Sequence, residues 1–158
     1  MTRRRGLPVA VTVISYAAAV FTLTWLTIDN RLGDQLYGHL LMLLTAFPAS
    51  VPGLLIDSWL YSAVIDNDAF FTAAVRDFLL LAWPGAALAA FLSFLLVRRP
   101  AAGRALGMLL TGCVILSGLA ITFDEWPPRR PYGWPFFLCG LVMLVGLLAD
   151  CRRRGEGQ

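Results

Sequence analysis

The sequence has few charged residues and no lysine, so it lacks the material for a water-exposed surface. Charged residues make up 15% of the 158 residues against 58% hydrophobic residues, and the mean hydropathy is +0.70. An average soluble domain carries about 25% charged residues. The scarcity of charge therefore excludes a soluble globular protein and predicts an integral membrane protein whose apolar side chains face lipid.

Histidine and cysteine are scarce too, which limits metal and redox chemistry. His39 is the only histidine, so no histidine pair exists to bind a metal. The three cysteines are odd in number and have no CxxC spacing, which gives neither a disulfide framework nor a zinc pattern. The sequence predicts no metal site and no cofactor.

The basic residues that are present are thirteen arginines in short clusters beside apolar runs. Membrane proteins place arginines there to set topology and to contact lipid headgroups. The expected partner is therefore the lipid bilayer rather than nucleic acid.

Four nearly uncharged runs are long enough to cross about 30 Å of hydrocarbon. They predict an all-α, four-span helical bundle in a single integral membrane domain, residues 1–158, whose last residues, 151–158, form a cytoplasmic basic tail. A loop is expected between the last two spans, because proline and glycine recur there. The predicted spans are about 7–28, 78–97, 105–123 and 134–150.

A fifth apolar run, 36–65, is broken in its middle by Pro48, Pro52 and Gly53. A helix of twelve residues on either side of the break rises only about 18 Å, roughly half of a bilayer. The run therefore predicts a broken helical hairpin, either re-entrant or lying in the interface, and full crossing with five spans is the alternative.

Arginine counts favour the hairpin. If the run crosses, six arginines lie on the side of the N-terminus and seven on the other; if it does not, the counts are nine and four. The positive-inside rule selects the second arrangement. We expect a multi-pass protein of the cell membrane with both termini in the cytoplasm.

Three polar residues are candidates for function: Asp57, His39 and Arg76. Asp57 is the charge most deeply embedded in apolar sequence, and such residues are functional hypotheses by default. Arg76 and Arg31 are candidate partners, and His39 stands at the mouth of the broken run. A polar crevice or a helix cap explains Asp57 equally, and interfacial hydrogen bonding explains His39.

Small residues recur at every fourth position on two neighbouring spans. This spacing places each set on one helical face and lets helix backbones approach closely. It predicts a tight antiparallel helix hairpin and indicates packing rather than catalysis. The residues are Gly85, Ala89 and Ser93 on one span, and Gly103, Gly107 and Thr111 on the next.

The element Leu43-Leu44-Thr45-Ala46-Phe47-Pro48, following an acidic loop, resembles a group of short actinobacterial integral membrane proteins with a Leu-Leu-Thr-Ala-Pro element. The resemblance covers roughly residues 13–56, and Phe47 departs from it by standing before the proline. No activity is established for that group, so the resemblance implies a membrane protein without naming a reaction.

Three functions remain open on this sequence. The first is a non-enzymatic accessory or structural protein that packs laterally against another membrane protein or a second copy of itself. The second is a small transporter or channel subunit in which the broken run lines the path. The third is a membrane-interface enzyme that uses His39 and Asp57.

Overall fold

The computed structural model describes residues 6–53, 56 and 73–155. Helix α1 spans Gly6–Ile28, the uncharged first run of the sequence. It ends where Asn30 takes a positive φ of 54°, a conformation that asparagine tolerates. The Arg31 amide then donates to the Leu26 carbonyl at 3.0 Å, which satisfies one of the helix's last carbonyls.

Helix α2 spans Gln35–Thr45. It begins at Asp34, whose side chain accepts a hydrogen bond from the Leu36 amide at 2.9 Å. After α2 the chain turns at residues 46–49 and is helical again at 50–53. The break is therefore shorter than predicted: it includes Pro48, while Pro52 and Gly53 belong to the helical turn that follows.

Helices α3, Ala73–Arg98, and α4, Pro100–Thr122, are joined by a single residue, Arg99. Pro100 starts α4 without losing a hydrogen bond, because the first amides of a helix have no partner within it. The chain then forms a 3₁₀ helix at Pro127–Gly133, where a loop was predicted, before α5 at Trp134–Gly155. Proline has no amide hydrogen, so the prolines of this segment prevent an α-helix, but they do not prevent the tighter 3₁₀ helix.

Close contacts show the direction of each helix. Near the end of α5, Gly146 lies against Thr12 in the first half of α1, and Leu147 lies against Gly107 near the start of α4. Since Arg99 alone joins α3 to α4, the end of α3 lies there too. The starts of α1 and α4 and the ends of α3 and α5 therefore share one end of the bundle, and α1 and α3 are antiparallel.

This arrangement fixes the two ends of the segment between α1 and α3. Helix α1 ends, and α3 begins, at the opposite end of the bundle. The described residues on either side of this segment, Ile28 and Ala73, therefore lie at the same end of the bundle. Residues 54, 55 and 57–72, which contain most of the predicted returning half of the hairpin, lie outside the described residues.

The four long helices pack around a shared apolar core, and each is long and apolar enough to cross a membrane. Large apolar side chains also cover their outer faces, as lipid-facing surfaces require. The prediction of an all-α, four-span helical bundle is confirmed. Core residues that are no more than 1% exposed include Tyr16, Leu23, Leu92, Leu110, Val114, Ile121, Phe136 and Met143.

Candidate functional site

Helix α2 runs down the side of α1 and stops inside the bundle. Gly38 lies against Thr27, and lower down the Thr24 hydroxyl contacts Met42 Sδ at 3.7 Å. A Cβ at position 38 would stand 2.5 Å from Thr27 Oγ1, so only glycine permits this approach. With 11 residues, α2 rises about 16 Å, and its last residue, Thr45, contacts Tyr16, halfway along α1.

At that depth a buried hydrogen-bonded group, here called the tip cluster, joins three helices. It consists of Tyr16 from α1, Thr45 from α2 and Ser117 from α4, all of which are fully buried. The Tyr16 hydroxyl donates to the Thr45 carbonyl oxygen at 3.0 Å, and Thr45 Oγ1 lies 2.9 Å from Ser117 Oγ. The cluster therefore fixes the inner end of α2 to the helices on both sides.

Every hydroxyl hydrogen of the tip cluster is donated in a hydrogen bond. Thr45 Oγ1 lies 2.8 Å from the Leu41 carbonyl, and Ser117 Oγ lies 2.9 Å from the Cys113 carbonyl. Two hydroxyl hydrogens thus serve three contacts, so one hydroxyl donates to the other while its partner donates to a carbonyl. Nucleophilic catalysis needs an adjacent base, whereas the partners here are hydroxyls and carbonyls. The arrangement suits the fastening of a helix end.

The outer end of α2 is held by a second group, here called the aromatic clamp. The Arg129 guanidinium lies over the Tyr37 ring, 4.4 Å from its centroid, and over the Trp126 ring at 4.9 Å. Arg129 also forms an ion pair with Asp124 at 2.5 Å, and both side chains are largely buried. Trp126 in turn packs on Gly33, before α2. Cation–π attraction within about 6 Å makes this a firm contact between α2 and the 3₁₀ helix.

Two residues at this end of the bundle, Tyr37 and Arg31, have raised pKa values. Burial raises the pKa of Tyr37; the Asp124 carboxylate raises it further, and the Arg129 guanidinium lowers it. Hydrogen bonds to Asp29 and then Tyr132 raise the pKa of Arg31, which is fully exposed. The two loops at this end therefore form a charged, hydrogen-bonded rim above the apolar helices.

Of the candidate polar residues named from the sequence, Asp57, Arg76 and His39, the structure describes the side chain of His39. His39 is exposed, and its Nδ1 lies 2.7 Å from the Gln35 carbonyl, one turn earlier in the same helix. Asp57 lies outside the described residues. Arg76 belongs to α3, and the structure describes only its backbone. Their functional roles stay predictions.

The small residues pack in three directions rather than in one hairpin. Gly103 lies against the backbone of Leu96 and therefore against α3. Gly85, however, faces Val20 of α1, and Gly107 faces Leu147 of α5. The sequence spacing identified faces of close packing but not which helix covers each. Of the others, Ala89 and Thr111 are buried and Ser93 is half-buried.

The cysteines are free, and their surroundings differ. Cys113 is buried and Cys139 half-buried, while Cys151 accepts a hydrogen bond from Arg104 Nη1 at 3.1 Å at the far end of α5. Among residues 6–53, 56 and 73–155, no group of three or more histidines, cysteines and acidic residues is placed to hold a metal ion.

The antiparallel apolar helices, their buried core and the inserted helix α2 define a multi-pass α-helical membrane protein. Comparisons of the chain with family models, with curated proteins and with solved structures found no match. The resemblance to actinobacterial membrane proteins therefore stays a prediction.

The tip cluster and the aromatic clamp were not found from the sequence. Tyr16 and Ser117 are single polar residues within apolar runs, and many such residues bond only to their own helix. The available signal was the presence of polar side chains on three separate runs, since buried polar groups must find partners. Arg129 was assigned to the interface because its partner Tyr37 lies far away in sequence.

Proposed function

We propose that this protein is a non-enzymatic accessory membrane protein that acts through lateral contacts with another membrane protein or with a second copy of itself. The observation that carries the proposal is the tip cluster. Tyr16, Thr45 and Ser117 hold the end of α2 between α1 and α4 with no exposed surface. A helix fastened in this way stiffens the bundle, which suits a scaffold.

The outer surface supports the same proposal. Each long helix presents large apolar side chains that are more than half exposed, and these face either lipid or a neighbouring protein. One such residue on each helix gives a set of four positions from which to identify neighbours: Ile14, Phe94, Leu116 and Leu141.

The test is photocrosslinking in intact membranes from each of these four positions, one at a time, with a photoreactive phenylalanine. We expect one or two of the positions to give a discrete protein adduct and the others to give lipid adducts. A second copy would give twice 17.3 kDa. Samples kept in the dark provide the matched control. Lipid adducts alone from all four positions would contradict a lateral partner.

A small transporter or channel subunit is the second candidate, and one observation favours it. Helix α2 ends inside the bundle and is followed by non-helical residues 46–49. Transporters use such discontinuous helices to bind ions near the membrane midplane. If the broken run lines a path, then D57N should change solute flux into proteoliposomes, while E125Q in the outer loop should not. Equal flux in both variants and the unaltered protein would remove this candidate.

We also infer that the protein lies in the cell membrane with both termini in the cytoplasm. Support comes from the nine arginines on the side of the N-terminus against four on the other. Glu125 and Ala102 are exposed at opposite ends of the bundle. In intact cells a membrane-impermeant maleimide should label E125C and leave A102C unlabelled. The reverse pattern would invert the orientation.

A further inference from the structure

The two ends of the bundle differ sharply in how their arginines are used. At the end where α1 begins, here called the basic end, Arg98 and Arg99 are exposed in the turn between α3 and α4. Neither forms an ion pair within the described part of the chain. At the opposite end Arg31 is paired with Asp29 at 2.6 Å, and Arg129 with its own aspartate. The loops at the opposite end, residues 29–34 and 124–130, carry four acidic residues against three arginines, so among these described loops only the turn at the basic end has a net positive charge.

The basic end gains further charge from neighbouring elements. Arg104 lies one turn into α4, and Arg152 lies near the end of α5. These two helix ends are in contact, since Arg104 Nη1 donates to Cys151 Sγ. Two more arginines, Arg153 and Arg154, follow Arg152 in the last turn of α5. Of the described acidic residues, only Asp150 lies here, and it is buried.

The height of this charge in the membrane follows from the residues beside it. Val97 and Phe94 are 68% and 56% exposed and lie within the last two turns of α3. Such side chains require lipid acyl chains around them almost to the end of the helix. Arg98 and Arg99 therefore begin where the acyl chains end, at the level of the lipid phosphates.

We propose that the basic end binds anionic phospholipids, with Arg98 and Arg99 as the principal contacts to the phosphodiester group. A guanidinium donates two parallel hydrogen bonds to phosphate oxygens, which an ammonium cannot do. Phosphatidylglycerol carries a net negative charge that attracts these arginines, whereas phosphatidylcholine is neutral overall. Each arginine near the surface contributes about fivefold in affinity. The bilayer is the source of the ligand, because free phosphate does not bring acyl chains to Phe94 and Val97.

The test is lipid titration of the detergent-solubilised full chain, measured by native mass spectrometry with phosphatidylglycerol and, separately, phosphatidylcholine. The R98Q/R99Q variant should lose affinity for phosphatidylglycerol by roughly fivefold for each arginine removed, with phosphatidylcholine binding unchanged. The matched control is R31Q/R130Q, which removes the same charge from exposed positions at the other end. This control should bind phosphatidylglycerol as the unaltered chain does.

Two outcomes would overturn the proposal. One is equal loss of phosphatidylglycerol binding in both double variants, which would show a response to net charge alone. The other is undiminished binding in R98Q/R99Q. Glycerophosphoglycerol, the headgroup without its acyl chains, should fail to compete at equal concentration. Effective competition would instead make the ligand a soluble phosphodiester and reject the lipid. Unchanged phosphatidylcholine binding confirms that each variant is folded.

Discussion

The Tyr16→Phe substitution tests whether the tip cluster holds helix α2 in place. It removes one oxygen atom and leaves the ring, so the packing around a fully buried residue is preserved. What is lost is the 3.0 Å hydrogen bond to the Thr45 carbonyl, which links residues 29 positions apart. The effect on stability can therefore be assigned to that bond.

The expected magnitude is about 1 to 2 kcal/mol. Hydrogen bonds between membrane helices contribute about 0.6 kcal/mol on average. Here the acceptor is one of the last carbonyls of α2, which have no partner within the helix. Leaving a buried carbonyl unpaired costs about 1 to 3 kcal/mol, so the loss should exceed the average.

Two measurements would detect this loss. Unfolding in bicelles gives the change in stability, and amide hydrogen exchange of the same sample shows where it acts. Exchange at residues 46–53 should accelerate, while the middle of α4 keeps its protection. The matched control is Tyr132→Phe, the same chemical change at a half-buried residue near the outer end. Tyr132→Phe removes a hydrogen bond to the exposed Arg31, so it should reduce stability less than Tyr16→Phe does and leave exchange at residues 46–53 unchanged.

A double-mutant cycle sharpens the assignment. Ser117→Ala removes the other partner of Thr45, whose oxygen lies 2.9 Å away. If both residues fasten the same helix end, the combined loss should differ from the sum of the single losses by at least about 0.5 kcal/mol. Additive losses together with unchanged exchange at residues 46–53 would refute the role of the tip cluster.

Three further predictions concern the contacts that position α2. In the unfolding assay, Gly38→Ala should destabilise the protein by about 1 to 3 kcal/mol, because the new methyl group overlaps Thr27 in the folded state. The control is Gly112→Ala, where the added methyl group would meet no atom within 4 Å, and it should be neutral or stabilising. Arg129→Gln should cost about 2 kcal/mol in chemical denaturation, since it removes an ion pair and two ring contacts. The same substitution at Arg31, whose ion pair is exposed, should reduce stability much less than Arg129→Gln does. Because the pKa of Tyr37 is raised in the folded state, its contribution to stability should be present below the ordinary tyrosine pKa and should decline as pH rises above it. Ultraviolet titration of the Arg129→Gln variant should show Tyr37 ionising at a still higher pH, because the guanidinium that lowers its pKa has been removed. A Tyr37 transition that moves to lower pH in that variant would contradict the clamp.

The four spans were predictable because the bilayer leaves few choices. Long uncharged runs must form helices in order to satisfy their backbone groups, and residues such as Asp29 and Asp124 mark where the runs stop. The arginine counts predict no net crossing between α1 and α3, and the antiparallel arrangement of these two helices is compatible with that prediction. Both signals depend on composition and length rather than on precise contacts.

The helix neighbours and the polar contacts were not predictable in the same way. Gly85 and Gly103 have the same spacing signal, yet one packs on α1 and the other on α3, because the partner depends on the three-dimensional order of helices. The bond between Thr45 and Ser117 joins residues 72 positions apart. Nothing local distinguishes these hydroxyls from others that bond only within their own helix.

The path of the chain between α1 and α3 is tested most directly by cysteine labelling, which shows on which side of the membrane a given position lies. Single cysteines at positions 35, 66 and 102 are introduced by Q35C, D66C and A102C after the three native cysteines are replaced. Position 66 lies outside the described residues and comes after the break, while position 102 marks the basic end. We predict that an impermeant maleimide labels positions 35 and 66 from the same side of the intact membrane, and position 102 only after permeabilisation. Labelling of positions 35 and 66 from opposite sides would contradict the inserted, non-crossing path of this segment.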